Sequence, residues 1–248
     1  MNAAGLPLAP ESPVSIIVDG KMLAVLMCSP FELDELAVGH LFARGVIASR
    51  EDLGSLGVCP DMKSVKIRTA SGAGASFEAE GLVYSACGAG GIALSPPPAG
   101  KSGAGSEDPG AALFSIEEIS AMARAMFAAA ELYRRTGGLH VAALACGSSY
   151  FTVREDVGRH NAVDKVLGRG LLDRIDFPRS VILTSGRIAA DMLQKAARAG
   201  VPILVSRSIP TTEAYALALE AGITLVGRIG SQNPLVYTRA DRIGSAIT

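Results

Sequence analysis

The chain has 248 residues, 49% hydrophobic and 19% charged, with a formal net charge of −1. No apolar run approaches the roughly 18 residues needed to cross a bilayer, and no polybasic run suggests a nucleic-acid partner. The start of the chain shows no basic segment followed by a hydrophobic one, so a cytoplasmic protein without membrane or nucleic-acid partners is expected.

Residues 1–13 read as a flexible leader. Val14 to Val18 and Met22 to Met27 are apolar runs joined at Asp19-Gly20, a hairpin signal. Ser29-Pro30-Phe31-Glu32 reads as a capping box opening a helix. That helix carries Leu33, Leu36, Ala37, His40 and Leu41 on one face, and Gly45 ends it. His40 on this face is expected to be a hydrogen-bonded core histidine. Residues 64–69 alternate as a strand, and residues 77–84 form another that leads toward Cys87. Residues 95–112 are rich in Pro, Gly and Ser and read as a loop or linker. Their Gly-Lys-Ser lacks the upstream glycine and the strand that a phosphate loop needs.

Ser115 and Glu118 cap a second helix with Ile116, Ile119, Ala123, Met126, Phe127 and Ala130 on one stripe, ended by Gly137-Gly138. Val141 to Ala145 and Phe151 to Val153 read as a hairpin around Gly147-Ser148-Ser149. The last third alternates strand and helix. Val181 to Thr184 precedes a helix capped by Ser185 and ended by Gly200. Val201 to Val205 precedes one opened by Thr211 and ended by Gly222, and Ile223 to Gly227 is a further strand. Arg-Ala-Gly-Val-Pro-Ile-Leu-Val at 198–205 and Glu-Ala-Gly-Ile-Thr-Leu-Val-Gly at 220–227 echo one another. This repetition predicts parallel strands with right-handed crossovers, and ligands beyond the strands' carboxyl ends. The division expected is an N-terminal α+β part at 14–94 and an α/β domain at 113–248.

The four cysteines are Cys28, Cys59, Cys87 and Cys146. None forms a Cys-x-x-Cys pair, and with the three histidines they show no metal-ligand spacing, so neither disulfides nor a structural metal are expected. Cys28 and Cys146 follow apolar stretches and read as core, while Cys59 reads as loop. Cys87 differs. It lies in Tyr84-Ser85-Ala86-Cys87-Gly88-Ala89-Gly90-Gly91, where small residues leave a sulfur open to a large substrate and backbone N–H groups can face a thiolate.

Polar clusters fall at the predicted strand ends. They are Thr136-Gly137-Gly138-Leu139-His140, Arg154 through Asn161 with Arg159 and His160, Thr184-Ser185-Gly186-Arg187, and Arg207-Ser208-Ile209-Pro210-Thr211-Thr212. Arginine forks and helix N-termini attract anions, so their repetition argues for a phosphate-bearing ligand. His140 and His160 are alternatively general bases.

Several segments together resemble the FdhD/NarQ family, formate dehydrogenase accessory sulfurtransferases. They are Phe31-Glu-Leu-Asp-Glu-Leu-Ala-Val-Gly-His-Leu-Phe-Ala-Arg-Gly-Val-Ile47, Thr136 to His140, Glu155-Asp-Val-Gly-Arg-His-Asn-Ala-Val-Asp-Lys165, Ser185-Gly-Arg187, Gln194-Lys-Ala-Ala-Arg-Ala-Gly-Val-Pro-Ile-Leu-Val205, and the end from Leu225 through Thr238. The resemblance implies a cytidine deaminase-like three-layer core with a mainly parallel sheet, a smaller N-terminal α+β part, and a homodimer. It implies sulfur transfer from a cysteine desulfurase, as a persulfide on Cys87, to the molybdenum or tungsten bis-(molybdopterin guanine dinucleotide) cofactor before its insertion into the formate dehydrogenase catalytic subunit. GDP would mimic part of that cofactor. The family's cofactor-binding stretch falls on Arg228, Ile229, Gly230, Ser231, Gln232 and Asn233, with His140, Arg159, His160 and Arg187 as further candidates. Two departures stand out. The family's loop reads Cys-Gly-x-Cys-Gly, and its second cysteine falls on Gly90. Residues 228–233 also depart from the common Phe-x-Arg pattern. A cofactor-holding chaperone without sulfur chemistry is the alternative. A zinc-dependent deaminase-like hydrolase is a third reading, disfavoured by the missing zinc cysteine pair.

Overall fold

The computed structural model describes residues 5–72, 82–83 and 113–244. In chain order the elements are β1 (Ser12–Val18), β2 (Lys21–Cys28), α1 (Leu33–Ala43), β3 (Leu53–Val58), β4 (Ser64–Thr69), β5 (Leu82–Val83), β6 (Phe114–Ser115), α2 (Ile116–Ala129), α3 (Glu131–Thr136), β7 (His140–Cys146), β8 (Tyr150–Asp156), α4 (Arg159–Leu172), β9 (Ser180–Thr184), α5 (Ala190–Ala199), β10 (Ile203–Ser206), α6 (Thr212–Ala221), β11 (Thr224–Gly227), β12 (Leu235–Val236) and β13 (Ile243–Gly244). They form two compact units, each discontinuous in sequence. The first comprises Met1–Leu94, Glu131–His140 and Arg154–Arg174; the second comprises Ser95–Ala130, Val141–Val153 and Ile175–Thr248.

The first unit holds a five-stranded sheet in the order β3-β4-β1-β2-β5. Asp19 and Gly20 take positive φ of 49° and 82° in the two-residue turn that pairs Val18 with Lys21. This is the left-handed backbone a tight hairpin demands, and Asp and Gly supply it at low cost. Val14, Ile16 and Val18 of β1 and Val65 and Ile67 of β4 are buried in alternation, as a one-sided sheet requires.

Helix α1 crosses α4 with backbone against backbone. A Cβ on Gly39 would sit 1.7 Å from the Asp164 carbonyl oxygen, and one on Gly168 would sit 1.9 Å from that of Glu35. His40 is buried in this crossing with Nδ1 3.4 Å from Asp164 Oδ2, a core histidine as its apolar face implied.

The capping box expected at Ser29 does not form. Helix α1 begins at Leu33, and Glu32 at its cap is left-handed (φ 45°, ψ 47°) with no side-chain cap. The Ser29 hydroxyl instead accepts from the Val157 N–H at 3.1 Å. A hydroxyl bonds whichever donor the fold brings to it, and here that donor is far away in sequence.

The second unit is built on a six-stranded sheet ordered β12-β11-β10-β9-β7-β8, with the end of β8 running on into the first unit. Strands β9, β10 and β11 are parallel, as the strand–helix repetition requires. The flanks are not: β7 runs antiparallel to β9 and β12 antiparallel to β11, so the sheet is mixed and not mainly parallel as expected. Val181, Ile182 and Leu183 are fully buried, the mark of a strand covered on both faces. Ser115 and Glu118 form the expected reciprocal cap of α2, and the Thr211 hydroxyl accepts from the Ala214 N–H to start α6. Gly200 and Gly222 end α5 and α6 in the left-handed conformation.

Three expectations are corrected. The helix from Ser115 does not run on to Gly137; it breaks at Ala130, and α3 starts with the Leu132 and Tyr133 N–H groups donating to the Glu155 carboxylate. Ser185 does not cap α5, which starts at Ala190; its hydroxyl accepts from the Val141 N–H at 3.0 Å. Cys146 is half-buried at the end of β7 rather than core, whereas Cys28 is fully buried. The predicted strand at 77–84 lies outside the described residues except for 82–83, as does the 95–112 segment.

Candidate functional site

The most distinctive stretch, Asp156 to Lys165, divides into two jobs. Asp156 is completely buried, and its carboxylate accepts from the N–H of Ser29 (3.1 Å), the N–H of Gly158 (2.8 Å) and the side-chain amide of Asn161 (3.0 Å). Lys165, also completely buried, places Nζ 2.9 Å from Asp156 Oδ2 and donates to the carbonyls of Ser29 and Glu155. Asn161 also donates to the Met27 carbonyl at 2.9 Å. Burial pushes the Asp156 carboxyl above its usual range, and Lys165, Gly158 and Asn161 pull it back. This is a clamp joining the β2–α1 turn to the β8–α4 turn. It satisfies buried polar groups, and both oxygens of Asp156 and the ammonium of Lys165 are engaged within it. Glu32 lies at its edge, 3.7 Å from Lys165 Nζ, with its carboxyl also raised by burial.

Arg159 and His160 are what the clamp presents. They occupy the first two positions of α4, after Gly158, which makes no side-chain cap. The N–H groups of a helix's first turn have no partner within the helix, and its dipole favours negative charge there. His140 is close enough to feel both residues. Its imidazole is held below the usual histidine range by burial first, then by the positive Arg159 and by His160. It is therefore neutral at neutral pH, an acceptor or neutral donor rather than a fixed cation. The Arg159 Nε is buried and has no hydrogen-bond partner among the described residues. The first unit thus gathers three of the candidates, His140, Arg159 and His160.

The second unit gathers the rest at the carboxyl ends of β9, β10 and β11. Completely buried Ser206 organises the three loops: its hydroxyl donates to the Gly186 carbonyl and accepts from the Ser208 N–H, and its carbonyl accepts from the Ile229 N–H at 3.0 Å. The Arg207 N–H donates to Thr184 and the Arg228 N–H to the Ser208 carbonyl. Gly227 is enforced here, because a Cβ would meet Tyr237 at 2.8 Å and the Ser208 carbonyl oxygen at 2.9 Å. Arg187, Arg228, Gly230, Ser231, Gln232 and Asn233 are exposed, with Arg228 and Gly230 at φ of 56° and 89°. Ile229 has its side chain buried and its amide engaged, so it anchors the stretch. Sequence patterning placed Arg207 at this edge but could not find Ser206 or the Phe127 ring, 5.5 Å from the Arg207 guanidinium carbon.

Cys87 and Gly90 lie outside the described residues. Among the described residues no group of three or more His, Cys, Asp or Glu side chains could hold a metal, and no helix is long and apolar enough to cross a membrane.

These features define a mixed α/β protein whose parallel strands end in arginine-bearing loops suited to an anionic ligand. The chain belongs to the FdhD/NarQ family, whose model matches residues 9–244. It is 34% identical over 243 residues to the sulfur carrier protein FdhD of Staphylococcus aureus strain JH9, covering 94% of this chain and 88% of that one. The sulfur carrier protein FdhD of Staphylococcus haemolyticus is 33% identical over 242 residues, with the same coverage. A crystal structure from Desulfotalea psychrophila, described as a formate dehydrogenase accessory protein, superposes with a TM-score of 0.75 at 29% identity, covering 96% of this chain and 90% of that one.

Proposed function

We propose that this protein is a cytoplasmic sulfur carrier required for formate dehydrogenase activity. The observation that carries the reading is the match along nearly the whole chain to relatives named sulfur carriers and to a formate dehydrogenase accessory protein. The Cys87 thiolate attacks the outer sulfur of a cysteine desulfurase persulfide, the desulfurase thiolate leaves, and Cys87 carries the persulfide. The S–S bond then breaks with its electron pair returning to the Cys87 thiolate, and the sulfane sulfur passes to the molybdenum or tungsten bis-(molybdopterin guanine dinucleotide) substrate, whose metal would supply the two electrons that make it sulfide, before the cofactor enters the formate dehydrogenase catalytic subunit. Only the thiolate is a competent nucleophile. With Gly90 in place of a second loop cysteine, the transfer proceeds without a local disulfide.

The cofactor's phosphates and guanines suit the arginine-bearing loops. Each unit, taken by itself, offers candidates for contact with it: Arg187 and the stretch from Arg228 through Asn233 in the second unit, and His140, Arg159 and His160 in the first; GDP serves as a mimic. The deaminase-like core and the homodimer accompany this reading, and the parallel run β9–β10–β11 of the second unit supports the former.

Incubation with a cysteine desulfurase and cysteine, followed by mass spectrometry, should place one added sulfur on Cys87. Sulfur added to another cysteine in Cys87→Ser would refute the assignment. Gly90 favours one second reading, a chaperone that delivers the cofactor without sulfur chemistry. In that case Cys87→Ser would still activate formate dehydrogenase in a strain lacking this factor.

A further inference from the structure

Arg207 falls in one of the strand-end polar clusters but is not among the named cofactor-binding candidates, and its loop is the middle one. It follows β10, the strand between β9 and β11. Its backbone N–H is tied to Thr184 at the end of β9, and the next residue's carbonyl accepts from the Arg228 N–H beyond β11. Its loop therefore lies between those bearing Arg187 and Arg228. The side chain is exposed, but it is not left to wander. The guanidinium carbon sits 5.5 Å from the centroid of the Phe127 ring of α2. A guanidinium within about 6 Å of an aromatic centroid is attracted to the ring face. A guanidinium carries five N–H donors in a fixed fork, so a ring contact does not exhaust its capacity for phosphate oxygens. A side chain already ordered on a ring loses less entropy when a ligand arrives.

We infer that Arg207, held over Phe127, is a phosphate-binding residue of the second unit and takes the diphosphate portion of a nucleotide ligand. This rests on reading the strand-end loops as the cofactor's binding surface. Phe127 acts as a positioning residue, through Arg207 alone.

The test is calorimetric titration of the full-length protein with GDP and, separately, with inorganic pyrophosphate. Arg207→Gln should weaken both about tenfold, the loss of a charge-assisted hydrogen-bonding pair, without lowering the melting temperature. Phe127→Leu, which keeps an apolar side chain on α2 and removes the ring, should weaken both roughly two- to fivefold. Arg207→Lys should recover only part of the Arg207→Gln loss, since an ammonium keeps the charge but not the fork. Wild-type affinity for GDP and pyrophosphate in Arg207→Gln overturns the inference and leaves the binding surface standing. Binding of neither ligand by the wild type overturns both. Failure of Cys87 to acquire sulfur, with the titrations as expected, counts against the sulfur-carrier reading alone.

Discussion

Asp156→Asn tests whether the signature stretch holds the fold or holds a ligand. Both partners of the Asp156–Lys165 pair have no exposed surface, and Nζ lies 2.9 Å from the carboxylate. Asparagine keeps the shape and one acceptor oxygen, so the N–H groups of Ser29 and Gly158 need not all be orphaned. Neutralising the carboxylate, however, leaves a buried ammonium with only two carbonyls, at 3.3 and 3.0 Å, and the more distant Glu32. Removing one partner of a buried pair costs about 3–5 kcal/mol. The retained oxygen puts this substitution at the lower end, about 3 kcal/mol. For a chain of this size that is a fall in melting temperature on the order of 6–12 °C. Thermal unfolding followed by circular dichroism measures it. Adding Lys165→Met removes the stranded charge, so the double variant should regain part of the loss. Melting of Asp156→Asn with the wild type, or a double variant no more stable than Asp156→Asn, would refute the role of the buried pair. Unchanged melting together with lost GDP affinity would make Asp156 a ligand residue instead of a clamp.

Gly39→Ala and Gly168→Ala should each cost about 3 kcal/mol or more, because the new methyl would lie 1.7 or 1.9 Å from a carbonyl oxygen of the facing helix. Gly57→Ala, with nothing within 4 Å, should stay within about 0.5 kcal/mol of wild type; equal losses at all three positions in urea unfolding would contradict the close crossing. Alkaline stability should depend on Cys28, whose thiol burial pushes up to about 12. The folded state keeps this proton above the pH where the unfolded chain releases it. The contribution is therefore complete below an unfolded pKa of about 8.5 and falls by about 1.4 kcal/mol per pH unit as pH rises toward the folded value. Denaturant midpoints measured across that window should fall more shallowly for Cys28→Ala; an identical slope would remove Cys28 as the cause.

The sequence by itself determined whatever is settled within a turn or two of chain. Asp19-Gly20 can take the positive φ of a tight hairpin, Ser115 and Glu118 cap each other three residues apart, and Gly200 and Gly222 stop helices by accepting a left-handed backbone. The repeat of helix and apolar strand likewise foretold the parallel run β9–β10–β11. Only the tertiary structure decided what each polar side chain does. Ser29 and Ser185 have the chemistry of helix caps, but donors 128 and 44 residues away take their hydroxyls. The run Asp156-Val157-Gly158-Arg159-His160-Asn161 reads as one polar cluster, yet folding buries Asp156 and Asn161 in a clamp and sets Arg159 and His160 at the start of α4. Ser206 and Phe127, neither of them an obvious ligand residue, became the hub of the strand-end loops and the seat of Arg207. Turn and cap geometry is encoded locally. The partner of a buried carboxylate, hydroxyl or guanidinium is whichever group the packed chain brings within three to six ångströms, and local pattern holds no record of it.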